Sequence, residues 1–393
     1  MTSCKLPRFT ASAFVFLGVL AAFNVPRAQA EEHHRHIPKR IVADYTSGAK
    51  FLNPPYSVAQ IPFHKLTHII HAGIPWNSDG SLYIEDGFVQ ADLVRKAHEN
   101  GVKVMLLTGG DFGAIEGSSQ VFDTVLANLK AFVIENDYDG IDVDWEFPSD
   151  SADRAFFVTL MTRLRETFPR PRYSLSIDVA PWNREFYALD KLKKPVDFFN
   201  LMVYDCAGPW TSIGHLNSPI FWDNRDPLPE ECEPGASVQQ AAELYLKHIP
   251  AEQLNMGTPF YGYDYTNVTG LFGTCPNAPN TPDGFCDDAV QTMNYGPNIK
   301  KLINKRGWVR HYDLRSLVPY LVRADGSPGF ITYDDAFSTY ARVHYAAWDL
   351  GLGGTFMWSL DADYDGHSQD LLDAMYRATV DGKHHEEKTG PTP

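Results

Sequence analysis

The segment YDGIDVDWEFP, from Tyr138 to Pro148, sets four acidic residues into an otherwise apolar run: Asp139, Asp142, Asp144 and Glu146. Alternate residues of a β-strand share one face. If the segment is a strand, Asp142, Asp144 and Glu146 line one face at intervals of roughly 6.6 Å. The apolar residues between them then face a packed layer. Pro148 cannot continue a hydrogen-bonded ladder, so Glu146 is predicted at the carboxyl end of the strand.

Three aligned carboxylates repel one another, so protons are expected to be shared among them at neutral pH. A carboxylic acid that stays protonated near neutrality can act as a general acid. The alternative is a magnesium or calcium site at an acidic strand end. No other acidic cluster of the sequence converges on this one, so we predict neither a metal nor a cofactor.

Eight β-rich runs alternate with segments of helical periodicity. Several of these runs are almost continuously apolar, as in parallel strands covered on both faces. The candidate strands are 40–45, 66–74, 102–109, 140–147, 173–181, 197–205, 253–262 and 353–361, and the candidate helices are 87–100, 118–136, 151–168, 237–249, 334–350 and 368–379. This order predicts an α/β fold, a (β/α)8 TIM barrel, with an open doubly wound sheet as the alternative.

The barrel is predicted to comprise residues 31–262 and 331–381. Residues 263–330 lack a simple βα pattern and are predicted to form a small α+β insertion after strand seven. Residues 382–393 are predicted to be a flexible tail.

Residues 1–30 have the pattern of a signal peptide, with Lys5 and Arg8 before a short apolar run that ends in small residues. An uncleaved N-terminal anchor is the alternative. The sequence thus predicts a secreted, extracellular protein with no membrane segment after cleavage.

Four cysteines follow the predicted signal peptide, and export favours disulfides. Cys275 and Cys286 bracket the loop CPNAPNTPDGFC and are predicted to pair, which leaves Cys206 with Cys232. Four cysteines allow three connectivities, so this pairing is a preference.

The formal charge is −15, and removal of three basic residues with the signal peptide takes it to about −18. No basic stripe accompanies this charge, which argues against nucleic acid and anionic membranes as partners. A neutral substrate is compatible with it, and a monomer is expected.

Residues 139–148 resemble the D-x-x-D-x-D-x-E signature of family 18 glycoside hydrolases, the chitinase family. Further segments resemble that family in the same order: LMVYD (201–205), IGHLNSP (213–219), GTPFYG (257–262), ITYDD (331–335) and LGGTFMWSLDAD (352–363). The resemblance covers roughly residues 40–380. It implies a TIM barrel with an insertion like that of the bacterial-type chitinases.

The resemblance implies four catalytic residues. Glu146 would protonate the glycosidic oxygen, and Asp144 would bind the N–H of the substrate's 2-acetamido group. Asp142 would hold a proton below Asp144, and Tyr204 would donate to the acetamide oxygen. The acetamido carbonyl itself would attack the anomeric carbon, in place of a second carboxylate.

The implied substrate-binding residues are Met202, Asp205 and Trp358. Tyr45, Trp182 and Tyr263 are further candidates, and Trp76 and Trp210 are weaker ones. Asp139 and Gly140 are interpreted as structural residues at the strand entry.

Three positions depart from the family pattern. Leu107 stands where serine is frequent, which puts a hydroxyl partner for Asp142 in question. Asp111 stands where an aromatic residue often follows the paired glycines, and Tyr263 stands where arginine is common. Together with the predicted signal peptide, the resemblance implies a secreted chitinase. An endo-β-N-acetylglucosaminidase acting on N-glycans and a chitin-binding lectin are the alternatives, and the presence of Glu146 argues against the lectin.

Overall fold

A closed barrel of parallel strands forms the centre of this computed structural model, which describes residues 39–222, 235, 237–276 and 284–388. The strands are β1 (Arg40–Thr46), β2 (His68–Trp76), β3 (Lys103–Gly110), β4 (Gly140–Val143), β5 (Ser174–Val179), β6 (Phe198–Leu201), β7 (Leu254–Pro259), β8 (Tyr261–Tyr265), β9 (Val290–Asn294), β10 (Trp308–Asp313), β11 (Val318–Arg323), β12 (Phe330–Thr332) and β13 (Gly354–Trp358). The barrel order is β1-β13-β7-β6-β5-β4-β3-β2. The predicted TIM barrel is confirmed.

Helices follow the barrel strands and cover their outer faces. They are α1 (Ala91–Glu99), α2 (Phe112–Gly117), α3 (Ser119–Glu135), α4 (Ser151–Thr167), α5 (Leu189–Leu192), α6 (Val238–Tyr245), α7 (Ala336–His344), α8 (Leu360–Asp363) and α9 (Asp370–Lys388). Asp150 caps α4, because its carboxylate accepts from the amides of Ala152 and Asp153 at 2.7 and 2.9 Å. This cap fixes the start of the helix that follows the acidic segment.

A second sheet, antiparallel, lies between β7 and α7 in the chain, with the order β10-β11-β12-β8-β9. Its strands fall within residues 261–332, and the insertion was predicted at 263–330. The run 253–262, expected to be one strand, divides into β7 and the first residues of β8. The second sheet therefore begins directly at the carboxyl end of a barrel strand.

One predicted strand boundary is wrong. The acidic strand was expected to continue to residue 147, but β4 ends at Val143, and the last cross-strand bond runs from the Asp144 amide to the Thr108 carbonyl at 3.1 Å. Beyond it β3 continues to pair with β2 alone, with Gly109 opposite Pro75 and Gly110 opposite Trp76. The regular spacing therefore does not extend to Glu146.

Residues 382–388, where the tail was predicted to begin, continue α9, which ends at Lys388. The flexibility of the tail stays a prediction. Each residue added to an existing helix gains a backbone hydrogen bond without a new nucleation step, and no proline interrupts the chain before residue 391. Residues 389–393 lie outside the described residues.

The predicted disulfide between Cys275 and Cys286 is confirmed, with Cα atoms 5.5 Å apart. Cys232 lies outside the described residues, so its pairing with Cys206 stays a prediction. The segment assigned to a signal peptide also lies outside them. Within the described ranges, no helix combines the length and apolarity that a membrane crossing requires.

Gly140, at the start of β4, is required by its close contact with β5. A Cβ at this position would lie 2.0 Å from the Ser174 carbonyl oxygen, well inside van der Waals contact. Gly140→Ala is expected to force the strands apart and to lower the free energy of unfolding by about 1–3 kcal/mol or more. Urea unfolding measures this, with Gly117→Ala as the control, because nothing lies within 4 Å of a Cβ there. Equal stability of the two variants would contradict this packing.

Candidate functional site

The carboxylates of the acidic segment become more accessible toward the carboxyl rim of the barrel. Asp142, in β4, is fully buried inside the barrel. Asp144, just after the strand, is half-buried, and Glu146 is exposed at the rim. The apolar residues between them are buried in the outer layer, where Trp145 stacks on Phe112 of α2 with ring centroids 4.2 Å apart. The rim is where barrel enzymes hold their sites.

Asp142 receives its hydrogen bonds from neighbouring barrel strands. The Ser176 hydroxyl of β5 and, at 3.3 Å, the Asn200 side-chain amide of β6 both donate to Asp142 Oδ1. Burial raises the pKa of Asp142, and the hydrogen bonds from Ser176 and Asp178 oppose that rise. The hydroxyl partner that Leu107 cannot supply on β3 thus comes from Ser176 on β5.

Asp144 and Glu146 both hold their protons more tightly than ordinary carboxylic acids. Burial raises the pKa of Asp144, and the charges of Glu146 and Asp142 add to that rise. Glu146 is accessible at the rim, yet the surrounding protein encloses its carboxyl group enough for burial to raise its pKa. The negative charge of Asp205 raises it further. The arrangement can deliver a proton to a molecule bound at the rim.

A pocket of about 490 Å³ opens beside Glu146. Several residues predicted to bind substrate line it. The lining residues are Glu146, Phe147, Trp182, Met202, Tyr204, Asp205 and Trp210. Tyr204 follows β6 and is largely buried, with its ring 6.1 Å from that of Tyr261. The pocket offers aromatic surface and no basic side chain, which suits a neutral ligand with apolar faces.

Asp205 also lines a smaller pocket of about 240 Å³, together with Trp358, Tyr261 and Tyr263. Its Oδ1 accepts hydrogen bonds from the hydroxyls of Tyr261 and, at 2.7 Å, Tyr263, both on β8. Burial raises the pKa of Asp205, and these two hydroxyls oppose the rise. Trp358, at the end of β13, is 38% exposed. Tyr263, which stands where the family often has arginine, therefore donates a hydrogen bond to Asp205 from an uncharged side chain.

The prediction for Tyr45 as a substrate-binding residue is wrong. Tyr45 is completely buried on the helix-facing side of β1, stacked on His71 with ring centroids 5.6 Å apart, and its hydroxyl donates to Gln90 at 3.1 Å. The neighbouring residue Asp44 is the one that faces the barrel interior, where its pKa responds to Asp142 and Asp144. An error of one position in a strand exchanges the two faces.

Trp76, a weaker cleft candidate, is also buried. Its indole N–H donates to the Asp111 carbonyl at 3.1 Å, and its ring meets the edge of Phe112. Asp111 caps α2 by accepting from the Ala114 amide at 2.9 Å. Neither position supplies an open aromatic surface to the pocket beside Glu146.

Asp139 lies at the amino end of β4, away from the rim. Its carboxylate accepts from His98 at 2.7 Å, from Arg172 at 3.1 Å and from the Val104 amide at 2.9 Å. These contacts tie the strand entry to α1, β3 and the segment before β5, which agrees with the structural interpretation of Asp139.

Sequence reasoning missed several polar residues around Asp142. Ser176 and Asp178 are alternate residues of β5, and Asn200 lies on β6. The same alternation that revealed the acids of β4 marks Ser176 and Asp178 in the run SLSIDV. No group of His, Cys, Asp and Glu suited to a metal ion occurs in the part of the chain that the structure describes.

A family model described as "Glycosyl hydrolases family 18" matches residues 42–363. Two similar proteins are "Probable chitinase 2" of Drosophila melanogaster, 26% identical over 82% of this chain and 72% of that protein, and "Chitinase B" of Serratia marcescens, 28% identical over 72% of this chain and 68% of that protein. A crystal structure of a group IV chitinase of Ostrinia furnacalis in complex with allosamidin superimposes with a TM-score of 0.75 at 23% identity, covering 88% and 99% of the two chains.

Tyr263→Phe removes one of the two hydroxyl donors to Asp205. A hydrogen bond is worth more to a carboxylate than to a neutral acid, so the substitution is expected to raise the pKa of Asp205 further. A carboxyl group whose pKa is higher in the folded state than in the unfolded state lowers the free energy of unfolding as pH rises. The loss of unfolding free energy should therefore be about 1 kcal/mol larger at about pH 7 than at about pH 4, as measured by urea unfolding.

Tyr265→Phe on the same strand is the matched control. The Tyr265 hydroxyl meets the Thr211 hydroxyl and the Gly208 carbonyl, each at 3.4 Å, and neither group titrates. Tyr265→Phe should lower the free energy of unfolding by the same amount at both pH values. A pH-independent cost for Tyr263→Phe as well would contradict the assigned hydrogen bond to an ionised Asp205.

Proposed function

The chain belongs to family 18 of the glycosyl hydrolases, and from that membership we propose that it hydrolyses the β-1,4 bonds between N-acetylglucosamine units of chitin. The observation that carries the proposal is Glu146, a carboxylic acid of raised pKa at the rim of an aromatic pocket. The names of the similar proteins from fly and bacterium support this choice of substrate.

In this reaction Glu146 donates its proton to the glycosidic oxygen as the bond to the anomeric carbon breaks. The carbonyl oxygen of the substrate's 2-acetamido group attacks that carbon and forms an oxazolinium ion. Glu146, now ionised, takes a proton from the water that opens the ring. Because attack occurs twice from opposite faces, the product keeps the β configuration.

Asp144 and Tyr204 position the acetamido group. The carbonyl oxygen of the Asp144 carboxyl group accepts from the acetamide N–H, and this hydrogen bond strengthens as positive charge develops on the acetamido group. The Tyr204 hydroxyl donates to the acetamide oxygen and directs it toward the anomeric carbon. Burial raises the pKa of Tyr204 well above its ordinary value, with the surrounding carboxylates adding to that rise, so its hydroxyl stays a donor at every working pH.

Aromatic surfaces support a chain of neutral sugars across the rim. Trp358 offers its exposed face beside Asp205, and Trp182 and Trp210 line the pocket next to Glu146. The indole faces pack against the apolar C–H faces of pyranose rings. Tyr261 and Tyr263, from the second sheet, form part of the smaller pocket, so this sheet supplies one wall of the groove.

The pattern of residues 1–30 supports export of the protein, and chitin, as an extracellular polymer, suits a secreted monomer. An endo-β-N-acetylglucosaminidase would use the same carboxylates on N-glycans. Product analysis on chitin oligomers and on a glycoprotein separates the two activities.

Glu146→Gln is expected to lower kcat on chitin oligomers by about 10²–10⁴-fold, because the amide keeps the shape of the side chain but has no proton to donate. Oligosaccharide affinity, measured by calorimetry, should change little. The control is Glu185→Gln, an exposed acid in the loop after β5, where the same charge change should leave kcat unaltered. Near-normal turnover by Glu146→Gln would refute the assignment of the acid.

The first products from a chitin hexamer are expected to be β-anomers, because the acetamido group and then water attack the same carbon. NMR of the anomeric protons within the first turnovers measures this before mutarotation. Cellulose and fully deacetylated chitosan, which lack the acetamido group, should resist hydrolysis. An initial α-anomer would mean direct attack by water and would overturn the roles given to Asp144 and Tyr204.

A further inference from the structure

A cluster of four acidic side chains lies inside the barrel directly below Glu146. Asp44 of β1, Asp142 of β4 and Asp178 of β5 are buried, and Asp144 is half-buried above them. In the described part of the chain, Asp44 Oδ1, Asp142 Oδ2 and Asp144 Oδ1 are buried without a conventional hydrogen-bond donor. Several uncompensated negative charges cannot coexist at this depth. The carboxyl groups must therefore hold protons and donate to one another.

The direction of the hydrogen bonds shows which acids are acceptors. Arg40 at the bottom of the barrel can only donate, and its Nε donates to Asn255 Oδ1 at 2.9 Å. This contact orients the Asn255 amide, whose Nδ2 donates to Asn200 Oδ1 at 2.9 Å. The amide of Asn200 then turns its Nδ2 to the acids, at 3.0 Å from Asp178 Oδ1 and 3.3 Å from Asp142 Oδ1.

Asp142 is the member of the cluster with the most donors. Ser176 and Asn200 both donate to its Oδ1, and the carboxyl group of Asp178 also hydrogen-bonds it. Burial raises the pKa of Asp178 well above its ordinary range, and the charges of Asp142, Asp144 and Asp44 add to the rise. Asp178 accepts from Asn200 through one oxygen, which leaves the other to carry a proton.

We propose that Asp178 is a positioning residue of the hydrolase, a permanently protonated acid that donates its hydrogen bond to Asp142 and keeps Asp142 ionised. The proposal rests on the proposed chitin hydrolysis for its functional meaning. The resemblance assigned the held proton to Asp142, whereas the geometry of the barrel interior assigns it to Asp178.

An ionised Asp142 determines what Asp144 can do. Its negative charge is one of the causes that raise the pKa of Asp144, so Asp144 keeps its proton in the free enzyme. Because Ser176 and Asp178 already supply donors to Asp142, Asp144 is not needed to neutralise it. Asp144 is therefore available to turn toward the acetamido group of a bound sugar, without leaving a bare charge in the core.

The other ionisable groups around Asp178 do not replace it as donors. Asp44 faces the cluster from β1, and burial together with the charges of Asp142 and Asp144 raises its pKa well above the ordinary range. Tyr187 and Tyr204 have raised pKa values from burial and from these same carboxylates, so both phenols are neutral. Among these groups, Asp178 is the one whose carboxyl hydrogen-bonds Asp142.

The experiment compares Asp178→Leu, which keeps the shape but has no donor, with Asp178→Asn, which can donate from its amide. The free enzyme is active only when Asp142 and Asp144 together carry one negative charge. Loss of that charge by protonation at low pH sets the acid limb of the plot of kcat/KM against pH. A hydrogen bond to a charged group is worth about one to two pH units. Asp178→Leu should move the acid limb up by about that amount and lower kcat more than it alters KM. Asp178→Asn should leave the limb near its wild-type position.

The basic limb should stay in place in both variants, because it reports the loss of the Glu146 proton. Asp197→Asn is the control for lost stability. Asp197 precedes β6 at the opposite end of the barrel and pairs with Arg165 and Arg170, each at 2.6 Å. Its loss should weaken the fold without moving either limb. A role of Asp178 in packing alone would likewise leave the acid limb unmoved in Asp178→Leu.

An infrared difference spectrum at neutral pH tests the proton directly, without reference to activity or to the folding of Asp178→Leu. Wild type minus Asp178→Asn should show the C=O stretch of a protonated carboxyl group. A carboxylate band in its place would overturn the role given to Asp178 and leave the proposed function intact. Identical acid limbs in active Asp178→Leu and Asp178→Asn enzymes would do the same. A wild-type protein that cleaves no chitin oligomer at any pH would overturn the proposed function. The infrared band would still show whether Asp178 is protonated.

Discussion

Burial of carboxyl groups inside a closed barrel is the constraint on which the site depends. An isolated carboxylate in such an interior costs several kcal/mol, and the acid cluster around Asp142 contains no metal-binding group within the described residues. The fold meets this cost with neutral donors from two strands, Ser176 on β5 and Asn200 on β6, and Asn255 on β7 donates to Asn200 in turn. The guanidinium of Arg40 orients the Asn255 amide, which orients the Asn200 amide. A single charged residue at the bottom thereby determines the polarity of hydrogen bonds near the rim.

At the rim, the second sheet supplies the hydrogen-bond donors for a carboxyl group. Asp205 is half-buried beside Glu146, and its donors are the hydroxyls of Tyr261 and Tyr263 on β8. An arginine at this point would neutralise Asp205 and weaken its influence on Glu146. Two phenols satisfy the hydrogen bonds of Asp205 but leave its negative charge, which helps Glu146 to retain its proton. The insertion therefore affects the chemistry of the site as well as the shape of the groove.

The order of β-rich runs and helical segments was sufficient to predict the barrel, and the alternation of acids in one short run placed Asp142, Asp144 and Glu146 in order from core to rim. The same signal on β5 was not used, and so Ser176 and Asp178 were missed. The side of β1 that carries Tyr45 could not be assigned from the sequence, because strands buried on both faces look apolar throughout and the interior face is determined only by pairing with neighbouring strands. The early end of β4 could not be predicted either, because it depends on where β3 stops pairing with β4 and continues with β2 alone, which the sequence of β4 does not contain.

The early end of β4 has a chemical consequence. Had the ladder continued, all three acids would have shared one rigid face, and their protons would have been coupled at fixed spacing. As the structure stands, Asp142 is held by the barrel, whereas Asp144 and Glu146 lie on backbone that has left the ladder after one last bond to Thr108. The buried acid has fixed neutral donors, and the two acids above it are free of the strand geometry. Environments that differ this much drive the proton affinities of neighbouring carboxylates apart, which lets one short segment supply a fixed charge, a partner for an amide and a proton donor.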